Sequence, residues 1–157
     1  MKREIRFRGK AIDNGKWVEG YIYQEIPETY TTYIMPSDLY NGYEYEVPDL
    51  YGDDMYRLQF EKYYEVIPES VGQYTGLKDN NGQEIYEGDI IVWSGTLDGC
   101  IFNHVCEVIF DLYEWCGWVI YSSKQRWAVP FGEHGCNPNE VNIVGNVYEN
   151  KELLKTN

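Results

Sequence analysis

The sequence predicts an all-β chain: a small SH3-like or related barrel, an irregular acidic insertion and a short C-terminal helix. Three observations carry that expectation. Apolar and polar residues alternate with period two at the start (Ile5, Phe7 and Gly9 against Arg6, Arg8 and Lys10), the mark of a strand with one wet face. Aromatic residues make up 17% of the chain, with 16 tyrosines and 5 tryptophans, and such side chains favour pleated sheets. Asn and Gly are placed as turn residues between apolar runs at Asn14-Gly15 and Asn81-Gly82.

In chain order, Asp13-Asn14-Gly15-Lys16 predicts the reversal of an N-terminal hairpin whose return strand runs from Trp17 to Tyr23. Residues 24 to 62 contain Pro27, Pro36 and Pro48, so strands at Tyr30–Met35 and Glu44–Val47 are expected only as edges. Asp53 to Phe60 fits a strand or a helical turn, and the residues alone leave both open. Tyr63 to Ile67 reads as a strand stopped by Pro68, which fixes its own φ and holds the preceding residue extended.

Residues 73 to 91 are the most legible stretch. Lys78 to Gly82 concentrates Asp, Asn and Gly, which predicts a tight reversal with Gly82 in the left-handed region. Tyr86-Glu87-Gly88-Asp89 then leads into Ile90-Ile91-Val92-Trp93, a bend feeding a strand. Gly88 supplies a φ that a Cβ forbids, and Asp89 caps a free amide. Carboxylates such as Glu87 and Asp89 are thereby explained by the backbone without an acid/base role.

Beyond it, Ser94 to Gly99 reads as a polar loop, Val105–Leu112 and Trp118–Tyr121 as inner strands around a turn at Cys116-Gly117, and Gln125–Phe131 as a strand. Gly132 to Asn139 reads as a loop, and Glu140 to Tyr148 as the last strand, bent at Gly145. Asn150 suits a helix N-cap, with Glu152 in the first turn at the positive end of the helix dipole and Leu153 and Leu154 covering the barrel.

The segments Gln73-Tyr74-Thr75-Gly76-Leu77-Lys78-Asp79, Asn81-Gly82 and Ile85-Tyr86-Glu87-Gly88-Asp89-Ile90 closely resemble the signature of the YopX-like family of phages and prophages. Glu4 to Lys10 with Trp17 to Tyr21 resembles the family's opening. Ile143 to Leu154 resembles its close, with Lys151 where the family's usual Pro is expected. The resemblance implies a fold and a phage or prophage context, and it brings no catalytic residues. Gly76, Asp79, Gly82, Tyr86, Glu87, Gly88 and Asp89 are expected to be structural. Residues 24 to 66 and 94 to 138 match no recognised motif.

Length and charge narrow the function. At 157 residues the chain is expected to be a single domain (1–157), with residues 24–66 as its variable insertion. No apolar run reaches the ~18 residues of a membrane span, and the basic start leads into an alternating strand. A cytoplasmic protein of the bacterial host is expected, without membrane contact. A net charge of −13 argues against direct binding to nucleic-acid phosphates, which is driven by Lys and Arg.

The charge is uneven: residues 1–20 carry six basic and three acidic residues, residues 21–69 two and eleven, residues 70–157 five and twelve. Eleven of the tyrosines fall between residues 21 and 64. Acids mingled with aromatics that bury wide area predict a partner-binding face built from Tyr40, Tyr43, Tyr45, Glu44, Glu46, Asp49, Asp53 and Asp54. The expected partner is an unidentified host or phage protein of basic character. Packing between identical subunits is the alternative, since aromatic strand edges invite pairing.

Enzymatic readings are weaker. There is no Gly-x₄-Gly-Lys-Ser/Thr, Gly-x-Ser-x-Gly or His-Glu-x-x-His pattern. His104 with Cys106, and His134 with Cys136, form two His-x-Cys pairs that could assemble a zinc site. Cys100 and Cys116 belong to no Cys-x₂₋₄-Cys knuckle either, and buried cysteines behave as small hydrophobes. No metal, no cofactor and no disulfide are expected, with a metal-dependent enzyme around His104 and His134 as the least favoured reading.

Overall fold

The structure is a computed structural model, and it describes residues 4–24, 31–36, 63–97, 100–132 and 135–155. Its strands lie in antiparallel sheets. Among the described residues there is no α-helix, and the sheets stay open. The expected small SH3-like or related barrel is therefore corrected to open sheets. Contacts divide the chain into two compact units, Arg6–Val71 and Met1–Ile5 with Gly72–Asn157.

The first unit is a meander of β1 (Phe7–Lys10), β2 (Trp17–Gln24), β3 (Thr32–Pro36) and β4 (Tyr64–Glu65). The first hairpin forms as expected, with Lys10 opposite Trp17 and Gly15 at φ 66°. Its loop is wider than a two-residue turn, because the Ala11 N–H donates to the Lys16 carbonyl at 2.9 Å and closes the reversal around residues 12–15. Strand β3 is an inner strand, paired to β2 on one side and β4 on the other, which corrects the expectation of an edge. Proline is tolerated there because Pro36 is the last residue, opposite Gly20 and beyond the two residues that β4 supplies. Ala11, Ile34 and Val66 are buried, and a Cβ on Gly9 would stand 3.0 Å from Ile34 Cδ1 and 3.1 Å from Val66. Glycine on β1 thus admits the two side chains that fill this small core.

After β4 the chain makes a 3-10 turn at Pro68–Ser70. The Ser70 hydroxyl accepts from the Lys10 N–H at 2.8 Å and donates to the Ile67 carbonyl at 2.6 Å, so a polar side chain is buried with both roles satisfied.

The second unit begins with a hairpin of β5 (Gly72–Lys78) and β6 (Glu84–Tyr86). Then come β7 (Asp89–Leu97), β8 (Cys100–Asp111), β9 (Gly117–Ser122), β10 (Trp127–Pro130) and β11 (Val141–Asn146). The last five form one sheet in the order β10-β9-β8-β7-β11. Ser94 to Leu97 belong to β7, with Leu97 opposite Cys100, so the expected polar loop from Ser94 is corrected to a long β7–β8 ribbon. Gly95 fits in it because the Phe102 ring lies across it, 2.6 Å from where a Cβ would stand. The bend expected at Gly145 is a register shift between Ile143 and Gly145. Ile85, Ile91, Cys106, Val108, Ile120, Cys136 and Val141 are fully buried and form the core of this unit.

The short C-terminal helix forms after Asn150 as expected, over Lys151–Lys155, but it is a 3-10 helix and not an α-helix. The Asn150 carboxamide oxygen accepts from the Asn146 N–H at 3.3 Å, behind the turn.

Candidate functional site

The signature residues lie along the β5–β6 reversal and the bend into β7. In the β5–β6 reversal, Asp79 Oδ1 accepts from the N–H groups of Asn81 (2.8 Å) and Gln83 (2.9 Å), and the Gly82 N–H donates to the Asp79 carbonyl at 2.9 Å. Gly82 stands at φ 80° and Gly76 at φ 86°, the latter within the irregular pairing between Tyr74 and Lys78. Burial of the Asp79 carboxyl raises its pKa, but the N–H bonds from Ile143, Gln83 and Asn81 outweigh that and hold it below the usual carboxylate value.

At the second bend Gly88 has φ 78°, donates to the Val108 carbonyl at 2.8 Å and accepts from the Val147 N–H at 2.8 Å. Asp89, 1% exposed, accepts from the Tyr86 N–H at 2.8 Å through Oδ2, the amide cap read from the sequence. Tyr86 is 2% exposed, with its ring 5.4 Å from that of Tyr74 and its hydroxyl 3.1 Å from Glu84. The Glu87 N–H donates to the Gln73 carbonyl at 2.9 Å.

Of the residues proposed for zinc, the two cysteines share one buried core and His104 lies in an aromatic cluster. Cys106 and Cys136 are fully buried in the core, where burial pushes each thiol up to about 12, Cys136 being further raised by Cys106 and Glu140. Cys116 is exposed at φ 48°. The His104 ring stacks on Phe102 at 5.3 Å and meets Trp127 edge-on at 5.3 Å, within an aromatic cluster completed by Trp93. Among the described residues, no three His, Cys, Asp or Glu side chains are grouped to hold a metal. His134 lies outside the described residues.

A cleft of ≈ 290 Å³ lies beside β8, with His104, Lys124, Gln125 and Leu154 among its lining and no carboxylate among the described residues there. Glu107 and Asp111 are the acids of β8, both partly buried, and Glu107 is the one whose pKa burial raises on balance. Lys151 opposes that rise and Glu87 adds to it.

The proposed contact residues Tyr40, Tyr43, Tyr45, Glu44, Glu46, Asp49, Asp53 and Asp54 lie outside the described residues. The strands flanking that segment do present tyrosines. Tyr21 is 37% exposed, Tyr23 47% and Tyr63 57%. The Tyr33 ring stands opposite Tyr23, with 6.3 Å between centroids, and meets Tyr63 edge-on at 5.1 Å. Glu65 is the partner of Tyr33 on the other side. Strand alternation puts Glu19, Tyr21 and Tyr23 on one face of β2, so the sheet itself builds an aromatic row with acids beside it. Sequence reading located the tyrosines but not the row, because the register of β2, β3 and β4 brings together residues 40 positions apart.

These features define an all-β protein of two compact units, with a glycine-aspartate signature whose polar groups serve the backbone and an aromatic face on its first sheet. The chain belongs to the YopX family: the family model described as YopX protein matches residues 6–155. The crystal structure of protein EF1440 from Enterococcus faecalis is similar, at 19% identity over 98% of this chain and 99% of that one, with a TM-score of 0.47. No curated protein matches the sequence. No helix among the described residues is long and apolar enough to cross a membrane.

Proposed function

We propose that this protein is a non-enzymatic phage or prophage accessory protein that acts in the host cytoplasm by binding a basic protein. The observation that carries this reading is the row of exposed Tyr21, Tyr23 and Tyr63 around half-buried Tyr33 on the strands that flank residues 37–62 in sequence. Tyrosine offers broad apolar area with a hydroxyl at its edge and loses little rotamer freedom on binding, which is why it is enriched at interfaces. The net −9 of residues 21–69 adds long-range attraction toward a cationic surface. Such attraction speeds encounter and fades as the Debye length falls from about 10 Å at 0.1 M salt to about 3 Å at 1 M.

The test is capture of host proteins on immobilised full-length chain, eluted with rising salt. A specific partner should be released as salt rises. Replacing Glu44, Glu46, Asp49, Asp53 and Asp54 by their amides, or Tyr23 and Tyr63 by Ser, should weaken its capture without lowering the melting temperature. Capture at unchanged affinity in both sets, or burial of these residues between identical subunits in solution, would overturn the reading in favour of an assembly role.

A further inference from the structure

The hairpin tip joining β8 to β9 shows its apolar residues to solvent. Leu112 is 68% exposed, Tyr113 92% and Trp115 49%. Apolar side chains in a turn are ordinarily free to fold back onto the sheet. Here the backbone beneath them is fixed. The Asp111 carboxylate accepts from three successive N–H groups, those of Tyr113 (3.2 Å), Glu114 (2.9 Å) and Trp115 (2.7 Å). Cys116 closes the tip at φ 48°, with its thiol donating to the Leu112 carbonyl at 3.5 Å. Below the tip Phe110 and Trp118 are cross-strand partners in edge-to-face contact, 5.0 Å between centroids, and Phe110 is 37% exposed.

We infer that this tip is a preorganised protein-docking element, inserted by Leu112, Tyr113 and Trp115 into an apolar pocket with a Lys/Arg rim on another protein. Trp and Tyr are the residues most enriched among interface hot spots. A loop already held in shape loses less conformational freedom on binding, so more of the contact energy appears as affinity.

Charge selects the occupant. The tip and the strand ends below it, residues 110–118, contain Asp111 and Glu114 and no Lys or Arg. A lipid surface is disfavoured, because cytoplasmic leaflets are anionic and basic residues beside the aromatics would be needed to approach them. A second copy is disfavoured by the −13 that each chain carries. A cationic rim on a different protein suits both the acids and the apolar core. This surface lies within the second unit and is independent of the tyrosine row, so either can fail alone.

The experiment selects binders to the immobilised full-length chain from a display library of a small folded scaffold with a randomised concave surface. Libraries of this kind settle on preformed hot spots. The largest group of binders should carry Lys or Arg around an apolar concavity. It should lose about thirtyfold or more in affinity for Tyr113→Ala and for Trp115→Ala, the loss that marks a hot spot. Asp111→Ala, which removes no apolar contact, should also weaken these binders by releasing the loop. Tyr23→Ser should leave them unchanged. Binders that spread over the chain with no sensitivity to the tip variants would overturn the proposal. So would co-sedimentation with zwitterionic or anionic phospholipid vesicles that Trp115→Ala abolishes, or a Tyr113-dependent dimer in sedimentation equilibrium.

Discussion

The Asp79 carboxylate ties the β5–β6 reversal to the last strand: Oδ2 accepts from the Ile143 N–H at 3.2 Å while Oδ1 holds Asn81 and Gln83. The Asn80 N–H donates to the Val141 carbonyl at 3.0 Å alongside, so residues more than 60 positions apart are joined by one side chain and one backbone bond. Asp79→Ala leaves three N–H groups without their acceptor. It should lower stability by about 1–3 kcal/mol, read as a shift in urea midpoint at unchanged slope. A midpoint within error of wild type would show that water replaces the carboxylate at no loss.

The same residue predicts an acid dependence. Its folded pKa lies below its ordinary value, so its contribution to stability is complete above about pH 4, the unfolded carboxylate range, and is lost as pH falls through the folded pKa. Urea midpoints of wild type and Asp79→Asn should therefore lie far apart at neutral pH and converge toward pH 2. A gap that stays constant over that range would assign the acid loss to other carboxylates.

Gly88 and Glu87 separate backbone from side-chain roles in the signature. A Cβ on Gly88 would lie 3.2 Å from Val147 Cγ2 at a φ of 78°, a region that L side chains rarely adopt. Gly88→Ala should destabilise by roughly 1 kcal/mol or more, and Glu87→Ala should do little. Thermal melts ranking the two the other way would reopen Glu87 as a functional side chain.

Thiol chemistry offers a third measurement. With Cys106 and Cys136 fully buried and each pushed up to about 12, an alkylating reagent at pH 8 should leave both unlabelled in the folded chain and reach exposed Cys116 readily. Peptide mapping after native and denatured labelling distinguishes the three. Elemental analysis is expected to find no stoichiometric zinc. One zinc per chain, lost in a His104→Ala, Cys106→Ala double variant, would establish the metal site that the two His-x-Cys pairs allow.

Local sequence determined much of this chain. Asn14-Gly15, Asn81-Gly82 and Gly88-Asp89 placed their bends because each depends on what a single residue's backbone can do, and Gly82 and Gly88 take positive φ for the reason that Cβ forbids it elsewhere. Alternation marked β1, the Asn14-Gly15 reversal marked β2, and a continuous apolar run marked β9. What only tertiary structure decided is pairing. Whether β3 is an edge or an inner strand depends on β4, some 30 residues away, and Pro36 is compatible with either. Among the described residues the sheets stay open instead of closing into a barrel, a property of twist and register over whole strands. Ser94 to Leu97 looked like a loop because small polar residues are turn formers, yet the Phe102 ring opposite Gly95 and the long β8 hold them in a ladder. The tyrosine row and the aromatic tip were hidden for the same reason: exposure is set by which neighbours arrive, and no residue carries that information alone.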